Sequence, residues 1–338
     1  MRLDVIICTY NRPGRLSGLI RQLQSCKPIP DQIIIVDSSD EMNDQWSNTP
    51  GIKYLQSNHK NQPYQRFIGA KHSTADFLLY LDDDMEVIKK DFIQDIQDIL
   101  SLDESKVGIA LCFKDKFAET AMSDLPSSIL TSKKSLLRNW MNWFTGIPKL
   151  REGQFGLCGN RGRQPIKGGN TEWLSGGAFV AKREKLFNQF NFQLFDLFEQ
   201  KLGMGEDAIL GYGLSKQGNL YFYPPLLFYH DDQRESHYSL AHRAFFRRII
   251  FSRLFLSLDK TRLDGHNKLH TILHYHWYVC WRIMGMFINY ILRPSNTRKE
   301  ILKGAISGWK LSFSFNFDYH NSRKTYWLEE SEKVKLST

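Results

Sequence analysis

The 338-residue sequence lacks closely spaced cysteines, a signal peptide and an uninterrupted apolar run of membrane-spanning length. Its five cysteines are odd in number and none forms a CxxC pair, so neither a disulfide framework nor a zinc site is predicted. A reducing compartment is the simpler expectation. The N-terminus runs directly into an apolar strand, without the basic segment and apolar core of a secretion signal. We therefore expect a cytoplasmic protein.

Composition sets broad limits on what this chain does. Apolar residues make up 42% of it, which is enough for a sizeable core and argues against global disorder. The formal net charge is +9, which suggests an anionic partner. Nucleic acid, an acidic lipid surface and a nucleotide diphosphate all fit that charge. We find no internal repeat.

The first half of the chain alternates short apolar strands with amphipathic helices. The predicted strands are Leu3–Cys8, Gln32–Val36, Ile52–Leu55, Phe77–Leu81 and Val107–Phe113, and the predicted helices are Arg12–Cys26, Pro63–Ser73 and Asp91–Leu100. This alternation predicts an α/β fold with a mostly parallel sheet flanked by helices. Ligands bind such sheets at the carboxyl ends of the strands. The residues after Cys8, Val36 and Leu81 should therefore share one rim.

The pattern changes twice further along the chain. Residues 114–170 are irregular and glycine-rich, and they predict an insertion or mobile loop near the site. Regular structure is predicted to return at Trp173–Ala181, and a helix to open at Gly205–Glu206. From about residue 236 to residue 338 the chain becomes a basic, aromatic helical extension, including a helix over Tyr238–Leu258. Trp277–Leu292 is strongly apolar but short and contains an arginine, which favours an interfacial or buried helix over a span.

Three consecutive carboxylates, Asp82, Asp83 and Asp84, follow the apolar run Phe77–Leu81. Their mutual repulsion is costly unless a cation is present, and a hard divalent ion bridges carboxylates to phosphates. Residues i and i+2 of an extended segment point the same way, so Asp82 and Asp84 are expected to face one metal site. A solvated acidic turn is the alternative.

Two polar clusters follow the first two strands on the same predicted rim. Thr9-Tyr10-Asn11-Arg12 offers a ring to stack on a base, and Asp37-Ser38-Ser39 offers a carboxylate to accept a base N–H. The alternatives are a helix cap for the first cluster and a simple turn for the second. The coincidence of three polar clusters on one rim is what favours a binding site.

Two later features complete the set of candidate residues. Glu206 and Asp207 follow a glycine pair at a predicted helix start. There they either complement the helix dipole or supply a general base for an acceptor hydroxyl. His230 follows an apolar run and is either a third metal ligand or a packed or capping residue.

Five segments in this order resemble a family 2 glycosyltransferase with the GT-A-type fold. They are VIICTYNRPGRL at 5–16, IIIVDSSD at 33–40, QRFIGAKHSTADFLLYLDDD at 65–84, WLSGGAFVAKRE at 173–184 and GMGEDAILGYGLSKQG at 203–218. The resemblance extends over most of residues 1–232. It implies a GT-A-type (Rossmann-like) domain over residues 1–235, with the helical extension following it.

The resemblance also implies a role for each matching residue. Thr9, Tyr10, Asn11 and Arg12 would line the nucleotide pocket, Asp37 would contact the base, and Arg66 and the small Gly69 would lie near the donor. Asp84 would touch the metal, with Asp82 nearer the ribose or sugar, Asp83 among the donor-binding residues and His230 as a further ligand. Trp173, Gly176 and Gly177 would shape the donor-sugar and acceptor pocket. Asp207 would be the base, with Glu206 beside it.

The implied reaction is a single in-line displacement with inversion at the anomeric carbon. The donor would be a nucleotide-diphosphate sugar, UDP-linked, held with Mn²⁺ or Mg²⁺. The acceptor would be a glycan or lipid-linked hydroxyl in cell-surface glycan, polysaccharide or glycolipid synthesis, and no nucleic acid is expected. The Arg-rich aromatic helix favours peripheral binding to an anionic membrane at its inner face, and a soluble helical cap is the alternative. The second motif departs from the usual DDGS, which leaves the nucleotide open.

Two other functions compete with this one. A nucleotidyltransferase on a similar sheet normally has a Gly-rich basic loop after the first strand, for which Pro13-Gly14-Arg15 is a poor substitute. A non-catalytic basic protein that binds nucleic acid or membrane would make the aspartates dispensable. Thermal stabilisation by nucleotides, with and without metal, separates the three.

Overall fold

The computed structural model describes residues 1–41, 44–46, 48–115, 150–231 and 242–336. The first strands are β1 (Leu3–Thr9), β2 (Gln32–Asp37), β3 (Ile52–Gln56), β4 (Phe77–Asp82), β5 (Met85–Val87) and β6 (Lys106–Asp115). The helices among them are α1 (Pro13–Gln24), α2 (Gln62–His72) and α3 (Phe92–Ser101). Each element predicted over this half of the chain is present, with ends shifted by one or two residues.

The second half begins with shorter elements. They are β7 (Gly169–Asn170), β8 (Ala178–Lys182), α4 (Arg183–Phe187), α5 (Phe192–Glu199), α6 (Glu206–Ser215) and β9 (Asn219–His230). Of the regular structure predicted over Trp173–Ala181, only the part from Ala178 is present, because the chain turns at Gly176 and Gly177 before β8 begins. Most of the predicted insertion, residues 116–149, lies outside the described residues.

With a last short strand, β10 (Lys335–Leu336), the strands form one sheet in the order β10-β3-β2-β1-β4-β8-β6-β9-β5, with β7 paired to β9. The strands β3, β2, β1 and β4 are parallel, whereas β8 runs antiparallel to both β4 and β6. The predicted fold class, an α/β sheet flanked by helices, is confirmed. The pairings Thr9 with Asp37 and Cys8 with Asp82 place the three polar clusters at one edge.

The sequence of β1 explains why helices cover both faces of the sheet. Leu3, Val5 and Ile7 pack into the apolar layer that contains α1, whereas Ile6 packs into the layer that contains α2. A strand buried on both faces carries apolar residues at consecutive positions. Asp4 interrupts this pattern near the start of β1 and accepts a hydrogen bond from the Ser73 hydroxyl, whereas Thr9 stands at the carboxyl end, where the site lies.

Gly69 is the point of closest approach between α2 and β1. A β-carbon there would overlap the Ile6 side chain, whereas Gly18 on α1 has nothing within 4 Å of the corresponding position. We expect Gly69→Ala to destabilise the protein by about 1–3 kcal/mol through overpacking. The control Gly18→Ala should stabilise it slightly, by about 0.5–1 kcal/mol. Urea unfolding measures both free energies of unfolding. Equal changes in the two variants would contradict the close contact between Gly69 and Ile6.

Three long helices follow the sheet domain. They are α7 (His242–Asp264), α8 (Lys268–Leu292) and α9 (Asn296–Ser312). Gly304 and Gly308 let α9 approach the α7 backbone, since a β-carbon at either position would overlap the carbonyl of Arg243 or Arg247. The first residues of the helix predicted at Tyr238–Leu258 lie outside the described residues. Within the described ranges, no helix has the length and apolarity needed to cross a bilayer.

The chain then returns to the sheet domain. Helix α10 (Lys324–Glu332) buries Trp327 against Tyr64 and Phe195, and β10 (Lys335–Leu336) pairs with β3 at the sheet edge. The Glu330 carboxylate lies 3.1 Å from Nε2 of His59. The extension predicted for residues 236–338 is therefore helical, but its last elements pack on the first domain.

Candidate active site

The loop after β1 is bonded to the acidic triplet after β4. The Thr9 hydroxyl donates to Oδ2 of Asp83 at 2.7 Å, and the Arg12 guanidinium lies 2.9 Å from Asp83 and 3.1 Å from Asp84. Burial raises the pKa of Asp83, although Arg12 and Thr9 oppose the effect. Arg12 is the N-cap residue of α1 but its side chain makes no capping hydrogen bond. The guanidinium instead pairs with Asp83 and Asp84.

Asp37, at the end of β2, is buried and held in a fixed orientation. Its Oδ2 accepts a hydrogen bond from the Tyr54 hydroxyl at 2.5 Å, and its Oδ1 accepts one from the Ser39 amide at 2.7 Å. Asp37 lines a cleft of about 680 Å³ together with Thr9, Asn11, Arg12, Pro13, Leu16, Ser39, Asp40, Glu41 and Gln45. The structure thus places Asp37 in the wall of the cleft.

Tyr10 and Asn11 form the exposed lip of this cleft. The Tyr10 ring is 41% exposed, and the Lys60 ammonium lies 4.6 Å from its centroid. Asn11 takes a left-handed backbone conformation, with φ of 52°, and its side-chain amide donates to Asp40 at 3.1 Å. An exposed ring beside a cation offers one open face for stacking.

Arg66 joins the acidic triplet to the Glu206-Asp207 element. Its guanidinium is buried and lies 3.2 Å from Asp82 and 3.0 Å from Glu206, and it donates to the Gly176 carbonyl at 2.7 Å. Burial alone would lower the pKa of Arg66, but Asp82 and Glu206 raise it above its usual value. Burial raises the pKa of Asp82 to about 7 despite the arginine, and it also raises the pKa of Glu206.

Asp84 and His230 face each other across the end of the sheet. The backbone pairing of Met85 with His230 brings them together, and Asp84 Oδ1 lies 3.3 Å from Nε2 of His230. That oxygen is buried and accepts no well-aligned hydrogen bond from the described residues. Burial raises the pKa of Asp84, but His230, Arg12 and Arg15 outweigh it and hold the pKa below its usual value.

The donor set at this point fits a divalent cation with few protein ligands. A carboxylate oxygen and an imidazole nitrogen are both ligands for Mn²⁺. Asp82, the other predicted ligand, instead accepts from Gln62 at 2.9 Å and from Arg66. Across the described part of the chain, no three His, Cys, Asp or Glu side chains form a metal-binding group. Asp84 and His230 are the two predicted ligands that the structure brings within 3.3 Å of each other, and their role as metal ligands stays a prediction.

Asp207 stands on the opposite side of Arg66 from the triplet. It lies in the first turn of α6, and its Oδ2 is 3.5 Å from the Arg161 guanidinium. Arg161 also lies over the Trp173 ring, 5.3 Å from its centroid, while Trp173 donates to the Gly162 carbonyl at 3.2 Å. The described end of the predicted insertion therefore borders the site.

Gly176 and Gly177 allow the chain to pass between the two halves of the site. A β-carbon on Gly176 would lie 3.5 Å from Asp207, and the Gly176 carbonyl is held by Arg66. A β-carbon on Gly177 would overlap the Met85 side chain. Only Gly177 is required by packing, because 3.5 Å from a β-carbon on Gly176 to Asp207 is an ordinary van der Waals contact.

Four site residues were not predicted from the sequence. They are Arg15, which lies 3.8 Å from Asp84; Gln62, bonded to Asp82; Gln65, bonded to the Thr9 and Val36 carbonyls; and Arg161. Gln62 and Arg66 are four residues apart on α2, so they share a helix face. That spacing, ahead of an acidic strand end, was the available signal for Gln62. Arg161 lies in an irregular segment that carries no such signal.

We expect Arg66→Met to destabilise the fold by about 3–5 kcal/mol, because it leaves the buried Glu206 and the partly exposed Asp82 without their shared cation. The control Arg21→Met removes an arginine from the exposed face of α1 and should have an effect within about 0.5 kcal/mol. Urea unfolding at neutral pH measures both. A loss below about 1 kcal/mol for Arg66→Met would show that the bridge between Asp82 and Glu206 is not structural.

Comparison with known proteins bears on the family. Residues 4–160, slightly less than half of the chain, match Glycosyl transferase family 2. This part of the chain is a family 2 glycosyltransferase domain. The match includes three of the five motifs that predicted it, and the segments at 173–184 and 203–218 lie beyond it. The resemblance predicted from the sequence is confirmed, and the protein is a glycosyltransferase.

One solved structure supports the fold of this glycosyltransferase. The crystal structure of S. aureus TarS 1-349 is 12% identical with a TM-score of 0.50, over 98% of this chain and 88% of that one. Mannosyltransferase PcManGT from Pyrobaculum calidifontis, in complex with GDP-Man and Mn²⁺, is also 12% identical, with a TM-score of 0.48 over 98% and 86%. No curated protein matches the chain by sequence. At this identity the TarS likeness bears on the fold alone.

Proposed function

We propose that this glycosyltransferase transfers a sugar from a nucleotide-diphosphate donor, UDP-linked, to an acceptor hydroxyl with inversion. One observation carries the proposal: the buried Arg66 bonds Asp82 and Glu206 at once, 3.2 and 3.0 Å away. The donor-side carboxylates and the Glu206-Asp207 element therefore meet around one point. Transfer requires this arrangement, because donor phosphate and acceptor hydroxyl must approach the same carbon.

The nucleotide occupies the cleft beside β1 and β2 in this proposal. Tyr10 gives its exposed ring face to the base, and Asp37, held by Tyr54, accepts from the base edge. Thr9, Asn11 and Arg12 line the passage from that cleft to the triplet. Arg12 and Arg15 stand at the triplet and add positive charge where the diphosphate lies.

Asp84 and His230 would hold Mn²⁺ or Mg²⁺ together with the diphosphate oxygens. A cation bound there neutralises charge on the diphosphate leaving group. Asp82 and Asp83, fixed by Arg66, Gln62, Thr9 and Arg12, accept hydrogen bonds from the ribose or the donor sugar. Carboxylates locked by neighbouring groups keep this geometry without reorganisation during the reaction.

Asp207 takes the acceptor proton. Glu206 is committed to Arg66 at 3.0 Å, whereas Asp207 meets the one-third-exposed Arg161 at 3.5 Å. Asp207 is therefore the carboxylate better placed to meet an incoming hydroxyl, and Glu206 fixes the start of α6. Trp173, Gly176 and Gly177 border the space where donor sugar and acceptor meet. A single base facing a departing diphosphate fits one displacement step, which inverts the anomeric centre.

The acceptor class in this proposal is a glycan or lipid-linked hydroxyl used in cell-surface glycan, polysaccharide or glycolipid synthesis. The proposed place is the cytoplasm, at the inner face of the membrane. The support is positional: the Arg-rich α7 follows the sheet domain and packs against the described end of the insertion, where Arg253 donates to the Cys158 carbonyl. Arg248, Phe251 and Phe255 of this helix are buried and do not themselves offer a membrane surface. That segment also carries Arg161, so the acceptor side of the site adjoins the basic helices.

Thermal stabilisation by nucleotides tests the donor proposal. We expect UDP with Mn²⁺ to raise the melting temperature by several degrees, since ligand at about 100 times its dissociation constant adds about 2.7 kcal/mol. UMP with Mn²⁺, and UDP with a chelator, should give much smaller shifts. A larger shift with GDP than with UDP would overturn the nucleotide assignment, and the same shift with and without metal would overturn the role of the cation.

A further inference from the structure

The second half of α8 carries large apolar side chains on its surface. The buried residues of this helix, Thr271, Tyr275, Tyr278 and Val279, all lie in its first half. Beyond them, Met284, Phe287, Ile288, Ile291 and Leu292 are exposed, with Phe287 at 49%, Ile291 at 58% and Leu292 at 73%. We call these five side chains the apolar tip. A continuous apolar patch on a helix end marks a surface that binds a partner.

Cations surround the apolar tip. Arg293 follows Leu292 directly and is exposed, and the Arg298 guanidinium donates to the Arg293 carbonyl at 2.6 Å. Lys299 and Lys303 are exposed on the first half of α9, which packs against α8. The neighbouring acid Glu300 is paired with Lys303 at 2.9 Å. The apolar tip therefore sits beside a positively charged helix start.

The three long helices hold the excess charge of the chain. Residues 242–312 contain 13 of the 45 basic residues and three of the 36 acidic ones, which gives this segment +10. The other 32 basic and 33 acidic residues leave the remainder of the chain at −1. The net positive charge of the chain is thus concentrated on the three long helices, one of which carries the apolar tip.

The positive charge of the three helices and the length of the apolar end of α8 indicate which partner binds the apolar tip. Two copies meeting through it would bring two strongly positive surfaces together, which is unfavourable. The stretch from Cys280 to Leu292 is about 20 Å long, shorter than the roughly 30 Å hydrocarbon core. A basic helix with an apolar face of this length lies in the boundary between headgroups and acyl chains.

We propose that the apolar tip and its cations bind an anionic lipid surface. Phe287, Ile288 and Ile291 enter the acyl boundary, and Arg293, Arg298 and Lys299 meet the phosphate headgroups. Burying apolar side chains and neutralising cations act together here, since neither alone gives firm attachment. The surface stands apart from the donor cleft, so it needs no nucleotide sugar.

Vesicle co-sedimentation of the full chain tests the apolar part. Phosphatidylcholine vesicles containing phosphatidylglycerol should bind the parent protein, and the double variant Phe287→Ser/Ile291→Ser should bind at least about tenfold more weakly. The matched control Leu102→Ser/Ile166→Ser also removes two exposed apolar side chains, 83% and 73% exposed, and should bind like the parent. Because all four positions are exposed, circular dichroism should show unchanged folding.

Charge-neutralising variants test the electrostatic part. Arg293→Gln/Lys299→Gln should weaken binding to the same vesicles by about fivefold for each charge, and raised salt should weaken the parent similarly. Vesicles of phosphatidylcholine alone should bind poorly. Equal binding to both vesicle types overturns the proposal, as does a tip variant that binds like its parent.

Two further outcomes separate lipid binding from self-association and from catalysis. A concentration-dependent dimer that the Phe287→Ser/Ile291→Ser variant abolishes would overturn the lipid proposal in favour of a second copy. The variant Asp207→Asn should bind vesicles like the parent, because Asp207 belongs to the active site. If the proposed sugar transfer is not found, the vesicle-binding result still stands. If vesicle binding is not found, the proposed sugar transfer is unaffected.

Discussion

Asp207→Asn should lower sugar transfer by about 10²–10⁴ while binding of nucleotide diphosphate and metal stays within a few-fold of the parent. The amide has nearly the same shape as the carboxylate but does not accept the acceptor proton. Asp207 lies in the first turn of α6 with Arg161 3.5 Å away, on the other side of Arg66 from the donor carboxylates. Single-turnover transfer from a labelled nucleotide sugar, with donor affinity measured separately, gives both quantities.

A matched variant separates catalysis from helix stabilisation. Asp95 also lies in the first turn of its helix, α3, and pairs with Lys89 much as Asp207 pairs with Arg161. Asp95→Asn therefore weakens an ion pair and removes a comparable interaction with a helix dipole, worth about 0.3–1 kcal/mol. If Asp207 merely stabilised its helix, the two variants would lose similar stability and keep similar rates. Transfer by Asp207→Asn within a few-fold of the parent would remove Asp207 as the base.

Asp84→Ala should abolish the metal-dependent part of nucleotide binding. The variant removes the buried Oδ1 that faces His230 at 3.3 Å. Since groups that only support a metal ligand already contribute 10–100-fold to affinity, we expect the loss of a ligand to weaken Mn²⁺-dependent UDP binding by at least about 100-fold. Calorimetric titration of UDP with and without Mn²⁺ measures the difference, and His230→Ala should show a smaller loss of the same kind.

The control for Asp84→Ala is another carboxylate of the same cleft. Asp40 is exposed and pairs with Lys60 at 2.6 Å, at the lip and away from His230. Asp40→Ala should change UDP affinity by a similar, small factor with and without metal. An Asp84→Ala protein that keeps its full response to Mn²⁺ would move the ion to other residues.

The sequence is most informative where strands end. Buried parallel strands show themselves as short apolar runs, and the first polar residue after each run marks the ligand-binding edge. This rule locates Thr9, Asp37 and Asp82 from the order of residues alone, and the pairings of β1 with β2 and β4 bring them together. Their roles in the reaction stay predictions.

The sequence is least informative where distant segments meet. The pairing of His230 with Asp84 depends on β9 lying beside β5, an antiparallel contact between residues almost 150 positions apart. Arg161 reaches Asp207 from an irregular segment held by hydrogen bonds between Gly153 and Arg163 and between Gly162 and Gln154. Apolar periodicity carries no record of such contacts, because backbone hydrogen bonds and ion pairs fix them.

The C-terminal segment also could not be placed from the sequence. Helix α10 has one fully buried large side chain, Trp327, and the other described residues of that helix are mostly exposed. A single anchor of this kind leaves no repeating pattern to detect. The sequence therefore did not indicate where the predicted extension ends, whereas in the structure its last strand pairs with β3.

The return of the chain has a practical consequence for anyone who handles this protein. The backbone of β10 bonds Leu55 and Gln56, beside Tyr54, whose hydroxyl orients Asp37 in the nucleotide cleft. Removing β10 would leave the edge of β3 unpaired, and an unpaired strand edge promotes aggregation. It would also remove a contact that holds β3, the strand that carries Tyr54. A purification tag is better placed at the other terminus, where Arg2 is exposed, but the chain cannot be shortened there because the central strand β1 begins at Leu3.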